Sequence, residues 1–263
     1  MAERYSAECP AKINLYLRVG EPDARGYHPL ETEFQAIGLF DTLTVELGGS
    51  GFTAEGAELP EENTVTKGLR LMREVATLPP LGIRLVKRIP SEAGLGGGSS
   101  DAGGLLRILR KLLPSTVPDR EFLAVARSVG ADVPFFLVGG RARGEGYGDV
   151  LTALEDEPTR WLVVVKPPVS CSTPEMYAAL DAVARGGSAS NDFEQVAPAE
   201  CSRLISALSL AGLAPVGLCG SGSAVYGFAR SEAEAGEVAR RYPGSWDVRT
   251  LSRAESLAVT RSE

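Results

Sequence analysis

The sequence predicts an α+β chain in two lobes, and three observations carry that reading. Ile13, Leu15, Leu17 and Val19 alternate with Lys12, Asn14, Tyr16 and Arg18, the period-2 pattern of a half-buried strand. Val65, Leu69, Met72 and Val75, and later Phe122, Val125, Ala126 and Val129, recur at helical spacing. Strand-like and helix-like segments do not alternate strictly, which argues against a doubly wound parallel sheet.

Taken in order, the first strand puts Lys12 and Asn14 on one face, about 6.6 Å apart along it, close enough to touch one small ligand. Leu43, Val45 and Leu47 predict a second strand, and Ile83 and Leu85 a third that leads into a glycine-rich run. Behind that run, Leu105, Leu109 and Leu112 mark one apolar helix face. Gly130 ends the helix around Phe122 to Val129, and Ala131-Asp132-Val133-Pro134 begins a loop-to-strand transition. Trp161 to Lys166 predicts a buried strand stopped by Pro167-Pro168, and Pro174 to Val183 a helix with proline in its first turn. These elements open a second lobe near residue 150, giving lobes over 1–150 and 151–263. The polar run 185–191 predicts a loop.

With 263 residues, 44% hydrophobic and 23% charged, the chain buries a substantial core. The net charge of −7 argues against a nucleic-acid surface, which needs clustered Lys and Arg. Its longest apolar runs are far too short to span a bilayer, so no membrane partner is expected. Met1 to Tyr5 carries no apolar leader, so a cytoplasmic location is expected, and with it reduced thiols at Cys9, Cys171, Cys201 and Cys219. Those cysteines lack C-x-x-C spacing and His28 is the single histidine, so no protein-held metal is expected.

The run Pro90-Ser91-Glu92-Ala93-Gly94-Leu95-Gly96-Gly97-Gly98-Ser99-Ser100-Asp101 reads as a phosphate cradle. Glycines allow close backbone approach, Ser99 or Ser100 supplies a helix N-cap, and the first helical N–H groups face an anion. It is neither a Walker A loop nor a dinucleotide fingerprint. Gly103 and Gly104, each costing roughly 1 kcal/mol against Ala in a helix, imply close packing there.

This run closely resembles the second motif of the GHMP kinases, the superfamily of galactokinase, homoserine kinase and mevalonate kinase. The resemblance extends through Pro10-Ala11-Lys12-Ile13-Asn14, Gly26-Tyr27-His28-Pro29, Glu62-Asn63-Thr64-Val65, Gly130-Ala131-Asp132-Val133-Pro134, Ser172-Thr173-Pro174, Asn191-Asp192-Phe193-Glu194 and Gly220-Ser221-Gly222-Ser223. Those motifs are similar to the branch that, in non-mevalonate isoprenoid synthesis, phosphorylates a hydroxyl of a cytidine-diphosphate-linked small molecule. A homoserine- or mevalonate-type kinase and a non-catalytic nucleotide-binding protein on the same fold stand as alternatives.

The resemblance implies an N-terminal lobe like ribosomal S5 domain 2, a ferredoxin-like C-terminal lobe and an active site between them. It implies ATP with Mg2+, and leaves a homodimer open. It gives the base-like role to Asp132 with Lys12 beside it. ATP is expected at Pro90, Gly94, Leu95, Gly96, Gly97, Gly98, Ser99 and Ser100, with Asn63, Thr64, Val65 and Lys87. The cytidine substrate is expected at Asn14, Tyr27, His28, Thr173 and Tyr177, with an imidazole hydrogen bond and stacking on Tyr177. Arg25 stands where the family has Asp, so its loop, or its contact with substrate phosphates, is expected to differ.

Overall fold

The computed structural model describes residues 3–113, 117–183 and 189–262. The first part of the chain runs β1 (Arg4–Val19), β2 (Leu30–Leu47), β3 (Phe52–Glu55), α1 (Thr64–Val75), β4 (Leu81–Val86), α2 (Gly97–Leu112), α3 (Asp119–Val129), α4 (Phe135–Val138), β5 (Arg141–Glu145) and β6 (Val150–Ala153). The second runs β7 (Trp161–Val165), α5 (Thr173–Asp181), a 3₁₀ turn (Asp192–Gln195), α6 (Ala199–Leu210), β8 (Val216–Leu218), β9 (Val225–Ala229), α7 (Glu232–Ala239), β10 (Ser245–Arg249), α8 (Arg253–Ser256) and β11 (Val259–Ser262).

Two sheets result. The larger has the order β11-β1-β2-β4-β3, with β5 pairing β2 and β6 pairing β5. The smaller has the order β10-β7-β9-β8, antiparallel throughout, the ferredoxin-like arrangement. Two strands join the larger sheet across the sequence division at residue 150: β6 in the β5 hairpin, and β11, which returns to the free edge of β1.

Each lobe has its own core, and a third lies between the sheets. Tyr5, Ala7 and Cys9 pack under α1 to α3 with Leu105, Leu106 and Leu109. Ala11 and Ile13 instead join Leu162, Val164, Tyr226 and Phe228 of the smaller sheet. A register shift between Pro10 and Ala11 changes the phase of alternation, so Cys9 and Lys12 both look toward the α2 side although they are three residues apart. That irregularity turns Lys12 and Asn14 into the cleft between the lobes. Both are buried, so the half-exposed alternation expected for this strand fails at the residues that carry the chemistry.

Two local expectations change. Helix α2 begins at Gly97, with Gly96 as N-cap in the left-handed region and no side-chain cap, so Ser99 and Ser100 lie inside the helix rather than before it. After Pro134 the chain first makes the short helix α4, because Phe135 and Phe136 are buried there, and only then enters β5. The closeness expected at Gly103 and Gly104 is present. A Cβ would lie 2.5 Å from Phe136 Cβ at the first and 2.4 Å from Cys9 Sγ at the second. Of the expected loop at 185–191, residues 185–188 lie outside the described residues.

Candidate active site

The glycine-rich run threads between the two sheets. Ala93 and Leu95 point into the inter-sheet core, and burying a leucine side chain is worth roughly 1.5–3 kcal/mol. Gly94 between them has no room for a side chain, because the chain before the Gly220–Ser223 turn crosses against it. Gly94 has φ +71°, and a Cβ there would sit 1.8 Å from the carbonyl oxygen of Cys219. Ala224 N–H donates to Ala93 O at 3.2 Å and Lys12 N–H to Leu95 O at 3.0 Å, so β1 and the Gly220–Ser223 turn clamp the loop from both sides. At its end, the first N–H groups of α2 have no intrahelical acceptor and carry the positive end of the helix dipole. That combination suits a phosphate.

Beside this helix start lies Lys12, 4% exposed. Its ammonium donates to Asn14 Oδ1 at 2.9 Å and stands 3.5 Å from Asp132 Oδ2. Asn14 is held in turn: its amide donates to Thr32 Oγ1 at 2.7 Å, and Thr32 donates to the carbonyl of Tyr16 at 2.6 Å. The Asp132 side chain is about one-third exposed and faces the cleft. A buried cation, a reachable carboxylate and a helix N-terminus thus converge on one spot.

Lys87 forms a second buried group below the loop. Its ammonium bonds the carboxylates of Asp41 and Asp101, the latter at 2.6 Å, and a Cβ on Gly97 would lie 3.3 Å from its Nζ. Burial opposes the Lys87 charge, but the two carboxylates outweigh it and raise its proton affinity. Burial, above all, pushes Asp101 up to about 7, against the pull of Lys87. Asp41 is fixed by the N–H groups of Arg88 at 2.5 Å and Ile89 at 2.8 Å.

At the opposite end of the cleft the contacts are aromatic. Tyr177 stacks on His28 at 5.0 Å and meets Phe193 edge-on at 4.9 Å. Burial, then the charge of Asp132, pushes the Tyr177 hydroxyl up to about 12. His28 Nδ1 donates to Gly20 O at 3.0 Å and Nε2 stands 3.3 Å from Asp181 Oδ2. Thr173 and Ser221 hydroxyls pair at 3.0 Å across the cleft.

The cavity measures about 560 Å³. Of the residues singled out in the sequence, it is lined by Lys12, Asn14, Thr64, Lys87, Pro90, Gly94 to Ser99, Asp132, Thr173 and Tyr177. Others stand back from it. Asn63 caps α1, accepting from Val65 and Thr66 N–H, while Val65 is buried in the core. Ser100 is fully buried, its Oγ without a hydrogen-bond partner among the described residues, because α2 starts early and turns it inward. Tyr27 is 62% exposed and packs edge-on against Tyr147, with the Arg25 guanidinium over both rings, which keeps it outside the cleft. Arg25 bonds Asp23 and the Tyr147 hydroxyl, so the departure at this position has built a local surface cluster.

Sequence reasoning passed over Phe34, Phe193, Thr32, Asp41 and Asp181. Phe34 and Phe193 had a signal, their places in Phe34-Gln35-Ala36-Ile37 and Asn191-Asp192-Phe193-Glu194 of the family resemblance. Among the described residues no cluster of three or more His, Cys, Asp or Glu could hold a metal, no helix is long and apolar enough to cross a membrane, and the four cysteines are free thiols.

The GHMP kinases N terminal domain matches residues 63–140, and the GHMP kinases C terminal domain residues 176–247. A 4-diphosphocytidyl-2-C-methyl-D-erythritol kinase from Aromatoleum aromaticum is 37% identical over 267 residues, covering 93% of each chain. The chain belongs to the 4-diphosphocytidyl-2-C-methyl-D-erythritol kinase family of GHMP kinases. A kinase of the same name from a Polaromonas species is 36% identical, covering 96% of this chain and 92% of its own. The crystal structure of a 4-(cytidine 5'-diphospho)-2C-methyl-D-erythritol kinase superposes with TM-score 0.80 at 35% identity, covering 93% of this chain and 98% of that one. A homoserine kinase from Cytophaga hutchinsonii aligns at TM-score 0.73 but 16% identity, over 99% and 97% of the two chains, which shows a shared fold alone. As a family member the protein is a kinase with ATP as co-substrate and a small-molecule acceptor.

Proposed function

We propose that this cleft transfers the γ-phosphoryl group of ATP to the 2-hydroxyl of 4-diphosphocytidyl-2-C-methyl-D-erythritol, giving the 2-phosphate and ADP. The observation that carries the reading is the Lys12–Asp132 pair, 3.5 Å apart at the start of α2. Asp132 accepts or orients the hydroxyl proton, and the Lys12 ammonium offsets charge on the transferred phosphoryl. Asn14 and Thr32 hold Lys12 in register. The N–H groups of Gly97, Gly98 and Ser99 bind phosphate oxygens, and Lys87 adds a cation below them. Cytosine stacks on Tyr177, with His28 behind that ring.

Magnesium accompanies ATP in this reading. Mg2+ takes six oxygen ligands and keeps several waters. Among the described residues no acidic cluster could hold the ion, so phosphate and water would supply most of its ligands, and Ser99 is the helix-start hydroxyl residue that lines the cavity. The ion would neutralise phosphate charge as transfer proceeds.

Turnover tests the assignment. ATP consumption is measured with the cytidine-diphosphate substrate, homoserine and mevalonate, each with Mg2+. Turnover with the first alone supports the reading, and turnover with either of the others at comparable kcat/KM refutes the substrate.

A further inference from the structure

Lys87 reaches the cleft with most of its hydrogen-bonding capacity already used. Its side chain is 7% exposed, and its ammonium donates to Asp41 Oδ2 and to Asp101 Oδ2, the latter at 2.6 Å. An ammonium has three N–H donors, so one is left. Lys87 lines the cavity, and a Cβ on Gly97, the first residue of α2, would lie 3.3 Å from its Nζ. The remaining donor is therefore held at the start of α2, beside backbone N–H groups that have no intrahelical acceptor.

The two carboxyl groups come from different elements and are fixed differently. Asp41, on β2 and fully buried, also accepts from the N–H groups of Arg88 at 2.5 Å and Ile89 at 2.8 Å, which ties the Lys87 segment to the sheet. Asp101 lies one turn into α2 and is 2% exposed; its Oδ2 takes Lys87, while its Oδ1 has no hydrogen-bond partner among the described residues. A buried polar atom left unpaired costs free energy, so Asp101 is not explained by packing. What it supplies is the bond that fastens the start of α2 to Lys87. Charge does not explain the arrangement either. Two carboxyl groups around one ammonium leave little excess positive charge to draw a phosphate, so the use of Lys87 lies in the direction of its free N–H.

We propose that Asp101, with Asp41, is a positioning residue for ATP: the pair takes two of the three Lys87 donors and aims the third at a phosphate bound on the first N–H groups of α2. This rests on the reading that places the ATP phosphates at that helix start. The ammonium and the backbone donors then share one fixed geometry before the nucleotide arrives.

The test is a double-mutant cycle on ATP affinity, measured by calorimetry with Mg2+ in the parent, Lys87→Met, Asp101→Ala and the double variant, with cytidine-substrate affinity and melting temperature alongside. Each single variant should bind ATP about tenfold or more weakly and keep the cytidine substrate. The double variant should bind ATP no more weakly than Lys87→Met, because Asp101 then has no ammonium to aim. Asp101→Asn, whose amide oxygen still accepts from an ammonium, should recover most of the affinity lost in Asp101→Ala. If Lys87→Met does not fold, Lys87→Gln takes its place in the cycle. Losses that multiply in the double variant would mean that Asp101 acts on the loop independently of Lys87, and would overturn the proposal. Tighter ATP binding in Asp101→Ala would also overturn it, since the carboxyl would then merely oppose phosphate charge. Gly97→Val separates the two levels of argument. If it weakens ATP while Lys87→Met does not, the phosphates are at the helix start and Lys87 does not reach them. If neither variant changes ATP affinity, the nucleotide lies elsewhere and both readings fall.

Discussion

The two ends of the cleft are built from different materials. At the end proposed for phosphate, the binding groups are backbone: three successive helix-start N–H groups and a loop pinned by main-chain bonds to β1 and beside the Gly220–Ser223 turn. At the end proposed for the base the groups are side chains: Tyr177 and Phe193 line the cavity, and His28, from a distant segment, stacks on Tyr177. Phosphates are alike in every nucleotide, so a backbone cradle serves. A base must be told from its neighbours, which requires side chains of chosen chemistry. Lys12 and Asp132 sit between the ends, where the proposed transfer would bring acceptor hydroxyl and phosphoryl group together.

The sharpest way to break this division is to damage the middle. Asp132→Asn keeps size and packing while removing the carboxylate, so kcat should fall about 10²-fold or more with ATP affinity little changed. Steady-state rates with calorimetric ATP binding check this; near-parental turnover would take Asp132 out of the chemical step. Lys12→Met should also slow turnover, and because Lys12 is buried against Asp132 it should alter the melting temperature as well. A variant with the parental rate would separate Lys12 from phosphoryl transfer.

Gly94 tests whether the phosphate end is truly braced by the second lobe. An alanine methyl there would collide with the Cys219 carbonyl at a positive φ, so Gly94→Ala should melt earlier and bind both ligands at least tenfold more weakly. Calorimetry with each ligand decides; loss of ATP alone would show that the clamp is not shared.

A smaller effect concerns the buried charges under the loop. Burial raises Asp101 from an ordinary 3.8 to about 7, so the folded protein holds that proton more tightly than the unfolded chain does. Its contribution to stability is present at low pH and is lost as pH rises from about 4 to about 7. The parent's melting temperature should decline across that window relative to Asp101→Asn. Parallel profiles would mean that Lys87 compensates the charge fully.

The same contrast explains what was legible in the sequence. A backbone cradle needs consecutive residues, so Gly94 to Ser99 was legible as a candidate, as were the periodicity of β1, α1 and α3 and the unbroken apolar run of β7. Lys12 and Asn14 were readable as one face of a strand, but the register shift that sinks that face into the cleft was not, because it depends on how β2 pairs. Ser100 and Val65, one residue beyond cleft-lining Ser99 and Thr64, turned out buried since helix phase decides which neighbour looks outward. Asp181 and Asp41 carried no local pattern; each matters through a partner more than 40 positions away.

The most direct test of the division titrates folded Gly97→Val and Tyr177→Ala with ATP and with the cytidine substrate. A Cβ on Gly97 would already press Ile89 at 3.0 Å and Lys87 Nζ at 3.3 Å, in the space where phosphate is expected. Gly97→Val should therefore lose ATP affinity and keep the cytidine substrate. Tyr177→Ala should do the reverse, losing on the order of 1–3 kcal/mol for the cytidine substrate alone. Parallel loss of both ligands in both variants would contradict two separately built ends.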